Sequence, residues 1–444
     1  MAKKSIFECQ HCGYQSTKWL GKCPECGVWD GFIESKEEKI KTNERAVLSD
    51  LAPTPITEVK EDVFQQFSSF ESEFDIVLGG GITKGGLYLI GGSPGVGKST
   101  LLLKISALVA RSGKRVLYIS GEESKSQIKL RAKRIGALDA NLFLLSEIEI
   151  LNIKDQIQSG NFDMVVADSI QTLYSSNLSA SPGSISQVRE ITFELMRIAK
   201  TNGISIFIIG HITKDGSIAG PRVLEHMVDC VLYFEGDPSR EFRILRGFKN
   251  RFGTTSEIGI FEMKNNGLIS AKNASLIFFA NKKDAIGSST TVTFEGSRAL
   301  ILEIQALVSE NSFGAVKRSA TGFELNRLNM LIALLEKKFD IPLNRYDVFL
   351  NVAGGIKISE TAADLAVVSS ILSSFKNRPI QSGSVFIGEV SLIGDVREAS
   401  NLDLRLKEME NYGFKNAIIA KKPSQKTTIK CFEISQITKL LDWM

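Results

Sequence analysis

The chain has 444 residues, room for about three domains at about 150 residues each. Hydrophobic residues make up 43% and charged residues 23%, with only 10 prolines, which excludes wholesale disorder, a collagen-like repeat and a disulfide scaffold. Lysine and arginine (54) barely exceed aspartate and glutamate (50), so a basic surface for nucleic acid has to be local.

Met1 to Cys12 contains no apolar signal core, and nowhere do about 18 apolar residues run together. The expectation is a cytoplasmic chain without a membrane partner, whose thiols stay reduced. Four of its six cysteines, Cys9, Cys12, Cys23 and Cys26, form two CxxC pairs separated by ten residues. Each pair can wrap a knuckle that aims two sulfurs at one point, and four thiolates fill the tetrahedral shell of structural Zn²⁺. Gly13 and Gly27 suit the turns. The short gap implies a small zinc finger, here given residues 1–34, and a segment this short and polar cannot build a core around four cysteines. His11 lies between two ligands and could compete, although four sulfurs already fill the site. Trp19 and Trp29 are expected to pack against the knuckles, with nucleobase stacking as the alternative. Residues 35–60 lack periodicity; Lys36 to Arg45 mix four basic and three acidic residues, as in a solvated linker.

A buried strand, Tyr88 to Gly92, runs into Gly92-Ser93-Pro94-Gly95-Val96-Gly97-Lys98-Ser99-Thr100, which opens an apolar helix through about Arg111. This is a complete P-loop in its strand-loop-helix context: backbone amides face phosphate oxygens, Lys98 neutralises β and γ charge, and Ser99 can ligate Mg²⁺. Strands are expected at Arg115 to Ser120, Asn141 to Ser146, Met164 to Ser169 and Ile204 to Ile212. A helix from Ile185 to Lys200 aligns Ile185, Val188, Ile191, Leu195 and Ile198. The pattern predicts an α/β fold with a largely parallel, helix-covered sheet. Asp168 closes an apolar strand, where its carboxylate can hold the water shell of Mg²⁺; a plain turn aspartate is the alternative. Glu122 and Glu123 follow the preceding strand, and Glu122 is favoured to orient the attacking water.

P-loop, post-strand glutamate and strand-terminal aspartate together resemble the RecA-type ATPase core. That resemblance places a γ-phosphate sensor at His211, in Ile209-Gly210-His211-Ile212-Thr213-Lys214, at the start of a DNA-contacting loop. Lys249-Asn250-Arg251-Phe252-Gly253 follows a strand pattern from Phe242 to Leu245. With the four-cysteine finger and Gly121-Glu122-Glu123-Ser124, this pentapeptide is similar to the bacterial RadA (Sms) family of DNA repair proteins, over nearly the whole chain. The resemblance implies several things: ATP as the nucleotide, Lys249 and Arg251 as charges supplied to a neighbouring subunit's nucleotide, and a homo-hexameric ring around single-stranded or branched DNA. It also implies two flexible loops, Ser175 to Ser186 and Thr213 to Arg222, lining a channel in which Lys214 and Arg222 track phosphates. The five basic residues from Lys125 to Arg134 read as a DNA stripe or, preferably, a solvated helix face. A RecA-type recombinase remains open as a partner of the finger.

The RecA-like domain is assigned residues 61–272. Beyond it, residues 273–444 show strands and then helices: Ala299 to Val308, Phe323 to Phe339, Val348 to Val352 and Thr361 to Phe375. This is a separate α+β domain. Gly388 to Val396 resembles a stretch of the Lon protease domain, which uses a serine nucleophile and a lysine. The resemblance puts Ala362 at the serine position, beside Thr361, and Asp403 near the lysine position, so a proteolytically inactive domain is expected. Lys357 and Lys407 have no assigned geometry, and Lys421, Lys422 and Lys426 read as surface residues or DNA contacts. The leading expectation is a DNA-dependent ATPase of recombinational repair that promotes branch migration. The alternatives are an ATP-gated DNA-binding scaffold without translocation and, third, an ATP-dependent protease.

Overall fold

The structure is a computed structural model that describes residues 6–9, 14–25, 27, 29, 31–35, 55, 57, 65–210, 223–236, 242–271, 285–311 and 314–443. Contacts divide the chain into two compact units, Met1–Ser270 and Ala271–Met444. Among the described residues no helix is long and apolar enough to cross a membrane.

At the N-terminus three short strands, β1 (Ile6–Cys9), β2 (Gln15–Ser16) and β3 (Phe32–Ser35), form an antiparallel sheet in the order β2-β1-β3. Its small core gathers Cys9, Cys23 and Phe32, with Phe7 and Leu20 against them. After it come β4 (Gln66–Phe67), α1 (Ser72–Leu78) and β5 (Ile82–Thr83), the two strands pairing antiparallel.

The main body alternates strand and helix: β6 (Leu87–Gly91), α2 (Lys98–Arg111), β7 (Val116–Ser120), α3 (Lys125–Arg134), β8 (Leu142–Leu145), α4 (Ile150–Gly160), β9 (Met164–Asp168), α5 (Ile185–Asn202) and β10 (Ser205–Ile209). A short α6 (Val223–Met227) and four further strands complete it: β11 (Cys230–Glu235), β12 (Phe242–Asn250), β13 (Ile258–Lys264) and β14 (Gly267–Ser270). These make one nine-stranded sheet ordered β14-β13-β12-β11-β6-β10-β9-β7-β8. From β11 to β8 it is parallel; β12, β13 and β14 add an antiparallel edge.

Strands β6, β7, β9 and β10 are buried at every position, as strands covered on both faces must be. Their side chains sort by parity into two cores. Tyr88, Ile90, Tyr118, Val166 and Phe207 join α2 on one face, and Leu89, Leu117, Ile119, Val165 and Ile208 join α4 and α5 on the other. The P-loop therefore leaves the carboxyl end of a central strand, the place where open α/β sheets form their ligand crevice. Strand β12 runs five residues past Leu245, where the apolar pattern stops, because it is hydrogen-bonded to β11 over Ile244 to Asn250 and needs no apolar side chain to continue.

The C-terminal unit holds a four-stranded sheet of Ser288–Glu295, Arg298–Glu310, Tyr346–Val352 and Arg318–Thr321, in that order. A parallel sheet follows, built from Ser384–Ile387, Asn416–Ile419 and Lys430–Glu433. Its helices span Leu325–Phe339, Asp364–Lys376 and Leu402–Asn411. The first begins two residues later than the apolar pattern, because Glu324 accepts the amides of Asn326 and Arg327 as its cap. The second is preceded by a 3-10 turn over Thr361–Ala363.

Candidate active site

The P-loop turns on glycine. Gly95 and Gly97 have φ of 78° and 112°, in the region that disfavours side chains, and a Cβ at Gly92 would lie 2.4 Å from the carbonyl oxygen of Phe234. Lys98 starts α2 with only 4% of its surface exposed, and its Nζ donates to the carbonyls of Gly92 at 2.6 Å and Ser93 at 3.1 Å. Burial pushes its ammonium below the ordinary lysine value, while Asp168 and Glu122 pull it back up, so those carboxylates act on Lys98 electrostatically. Ser99 follows on α2.

Strand-end pairing aligns the acidic groups. Ser120 of β7 stands opposite Asp168 of β9, which brings the Glu122 turn beside the aspartate. Asp168 is buried and accepts the Tyr118 hydroxyl at 2.5 Å. Burial, then the charge of Asp168, raises the Tyr118 pKa well above its ordinary value, so the phenol is a standing donor. Glu122 is exposed, and the Ser169 hydroxyl donates to its Oε1 at 2.6 Å. Glu123 turns aside: Arg131 of α3 holds it at 2.8 Å. Of the basic run on α3, Lys125, Lys129, Lys133 and Arg134 face solvent, but Arg131 points inward, with Nη2 4.0 Å from Asp168 Oδ2.

Sequence patterns missed Arg243. It is 2% exposed at the start of β12, and its Nε donates to the P-loop carbonyl of Val96 at 3.0 Å. Gly236 makes room for it, since a Cβ there would lie 2.4 Å from Arg243 Cδ. The available signal was a cation inside an apolar strand, Phe242-Arg243-Ile244. Missed too was Gln187, which is buried and ties the Ser175 to Ser186 loop through the Ser175 amide and the carbonyls of Ser175, Leu178 and Ala180. The loop expected to be flexible is thus tethered along its first half.

Lys249 and Arg251 lie at the other end of β12. Asn250 pairs with Cys230, and Cys230 with Tyr88, near the amino end of β6, so this segment sits at the end of the sheet opposite the P-loop of its own chain. Lys249 Nζ caps α6, donating to the carbonyls of Glu225 at 2.7 Å and Val228 at 2.8 Å. Arg251 is 60% exposed and only loosely paired with Asp229, at 3.5 Å. His211, Lys214 and Arg222 lie outside the described residues.

In the ribbon, Cys9 and Cys23, one from each CxxC pair, are 1% exposed in a shared cluster, and Gly27 at φ 71° donates its amide to the Cys23 carbonyl at 2.9 Å. Two buried sulfurs and a glycine turn after the pair suit a thiolate-bound metal. Cys12, Cys26 and His11 lie outside the described residues, among which no group of three metal-ligating side chains occurs. Trp19 and Trp29 are 53% and 69% exposed instead of packed inward, with Lys22 Nζ 5.5 Å from the Trp29 ring.

In the C-terminal unit, Thr361 is exposed and donates its hydroxyl to Glu389 at 2.7 Å, and Ala362 is buried. Asp403 accepts from Ser424 at 2.9 Å. Lys357, Lys407, Lys421, Lys422 and Lys426 are all exposed. What surrounds Ala362 is a pair of ion pairs. Arg405, wholly buried, clasps Glu360 at 2.6 and 2.7 Å, and Arg327 pairs with buried Asp364.

Residues 53–217 match the family described as AAA domain, and residues 7–34 match the one described as rubredoxin metal binding domain. The chain is 64% identical to DNA repair protein RadA of Helicobacter pylori and 58% identical to that of Campylobacter jejuni, over 100% of both chains in each case. It is 52% identical to DNA repair protein RadA of Bacillus subtilis, over 94% of this chain and 93% of the relative.

Proposed function

We propose, because this chain belongs to the RadA family of DNA repair proteins, that it is a DNA-dependent ATPase processing recombination intermediates by branch migration, as a homo-hexameric ring around single-stranded or branched DNA. Its parts are a zinc finger (1–34), a linker (35–60), a RecA-like ATPase (61–272) and a proteolytically silent Lon-like domain (273–444). The setting is the bacterial cytoplasm, with a RecA-type recombinase as a partner.

The observation that carries this reading is the position of Arg251. From Tyr88 to Gly92 the strand covers about 13 Å at about 3.3 Å per residue, so an arginine beyond the amino end of β6 is remote from the nucleotide loop at its carboxyl end. Exposed and weakly paired, it is available to another subunit's nucleotide.

Within one subunit, P-loop amides and Lys98 hold the phosphates of ATP, and Lys98 exchanges its loop carbonyls for phosphate oxygens. Ser99 and Asp168 would hold Mg²⁺, which supplies charge neutralisation between β- and γ-phosphates. Glu122, oriented by Ser169, accepts a proton from the attacking water. His211 reads the γ-phosphate. Arg251 of the adjoining subunit completes the charge on the transferring group, joined by Lys249 once it exchanges the carbonyls that it caps on α6 for phosphate oxygens, and Lys214 and Arg222 track the DNA backbone. The finger's four cysteines, Cys9, Cys12, Cys23 and Cys26, hold Zn²⁺.

The test is turnover with and without single-stranded DNA, combined with particle imaging in nucleotide. Subunits carrying Lys98→Ala, mixed with subunits carrying Arg251→Ala, are expected to regain part of the turnover that neither has alone. A chain that stays monomeric and hydrolyses ATP equally fast without DNA overturns the reading. DNA binding that cycles with nucleotide, without strand displacement or fork movement, replaces branch migration with an ATP-gated switch.

A further inference from the structure

Tyr118 belongs to none of the motifs that define the ATPase, yet its hydroxyl makes the shortest contact to the aspartate at the heart of the site. It lies on the middle of β7, wholly buried, two residues before Ser120. Ser120 pairs with Asp168 and Tyr118 with Val166, so the ring climbs along the α2 face of the sheet to the end of β9. There it donates to Oδ2 of Asp168 at 2.5 Å. Among the described residues, the hydrogen bonds of this carboxylate fall on Oδ2 alone. Arg131 competes for the same atom, its Nη2 4.0 Å away, and neither Nη2 nor Nε of Arg131 makes a hydrogen bond among the described residues. A buried guanidinium with unused donors draws a neighbouring carboxylate into a two-pronged pair. Among the described residues, the phenol is the hydrogen-bond donor that stands against that rotation.

We propose that Tyr118 is a positioning residue: by occupying Oδ2 it keeps Asp168 from closing onto Arg131 and leaves Oδ1 for the hydration shell of the nucleotide-bound divalent cation. This rests on the reading of Asp168 as the cation-holding carboxylate. A phenylalanine at this position would fill the same space and keep the strand, but it would release the aspartate to the arginine.

The test is equilibrium binding of a fluorescent N-methylanthraniloyl-ATP to the full chain, in EDTA and across a Mg²⁺ titration, with Mn²⁺ binding followed by electron paramagnetic resonance. For Tyr118→Phe the affinity in EDTA is expected to be unchanged, while the Mg²⁺ concentration giving half of the cation-dependent gain rises about tenfold, the effect of losing one hydrogen bond to a charged group. Adding Arg131→Met to Tyr118→Phe is expected to recover part of the shift, because the competitor is gone. An unchanged Mg²⁺ midpoint in Tyr118→Phe overturns the positioning role if Asp168→Asn loses the Mg²⁺ response. If Asp168→Asn keeps that response, the reading of Asp168 fails and the proposal falls with it. Arg131→Met alone supplies a test independent of the tyrosine variant's folding: its midpoint should not rise, and a rise would assign the positioning role to Arg131 instead.

Discussion

The two units each bury a set of charges, and the sets differ in what holds them. In the C-terminal unit, Arg405 donates twice to Glu360, once to the carbonyl of Val292 and once to that of Ser400, and Arg327 meets Asp364 and the carbonyl of Val390. Both carboxylates also accept a backbone amide, Glu360 that of Phe294 and Asp364 that of Val390. In the nucleotide site, among the described residues, the ammonium of Lys98 donates to backbone carbonyls of the loop it serves, the hydrogen bond of Asp168 falls on one oxygen, and Glu122, which accepts the Ser169 hydroxyl, is exposed. A closed set of buried charges reads as architecture, and an open one as chemistry.

That contrast can be broken most sharply at Arg251. Replacing it with alanine should lower DNA-stimulated turnover by about 10³-fold or more, as in arginine-finger systems, with melting temperature unchanged. Steady-state ATPase and a thermal melt on the same sample check both halves. Arg243→Met, which removes the donor on the P-loop carbonyl of Val96, should weaken nucleotide binding about tenfold, measured by equilibrium titration.

For the closed set the expected loss is in stability. Arg405→Met leaves Glu360 without its ion-pair partner, with the Phe294 amide still bound to it, and should cost about 3 kcal/mol. For a unit of this size that is roughly 10 °C in the calorimetric transition of the C-terminal unit, with ATP turnover preserved. The pH dependence sharpens it. Burial alone would raise the Glu360 pKa, but the hydrogen bonds and charge of Arg405 outweigh that and hold it below the ordinary glutamate value. A carboxylate depressed on folding stabilises above its unfolded value, about 4.3, and that stability fades as pH falls through the folded value. The stability that Arg405 confers through the charge of Glu360 should therefore be full at neutral pH and fade as pH falls through the depressed folded value, so the difference between the native chain and Arg405→Met should shrink on acidification. The smallest expected effect is none: Thr361→Ala should change neither turnover nor casein cleavage, and a cleavage activity lost on that change would restore the protease reading.

How much of this was visible beforehand follows from the range of each interaction. The P-loop and the strand bearing Asp168 are each a single unbroken segment of sequence, so their chemistry can be read from spacing. Tyr118, Arg131 and Arg243 reach the site through strand pairing and helix packing between distant segments; a cation in an apolar strand marked Arg243 and a basic run contained Arg131, but neither pattern says what the side chain meets. Lys249 was legible as a basic residue, but its engagement with the carbonyl end of α6 was not. Gln187 shows the same blindness, a polar residue on an otherwise amphipathic helix whose task is to fasten a loop.

Strand β12 runs nine residues, with Arg243 near one end supporting the P-loop and Arg251 just past the other, exposed and loosely paired with Asp229. It is laced to β11 along most of its length, with a register shift where Val231 and Leu232 face Lys249 and Gly247, and to β13 over its first half, so one continuous strand joins the two arginines. In the ring proposed above, this one strand would be the covalent link between a loop closing on its own triphosphate and the arm held out to the adjacent subunit.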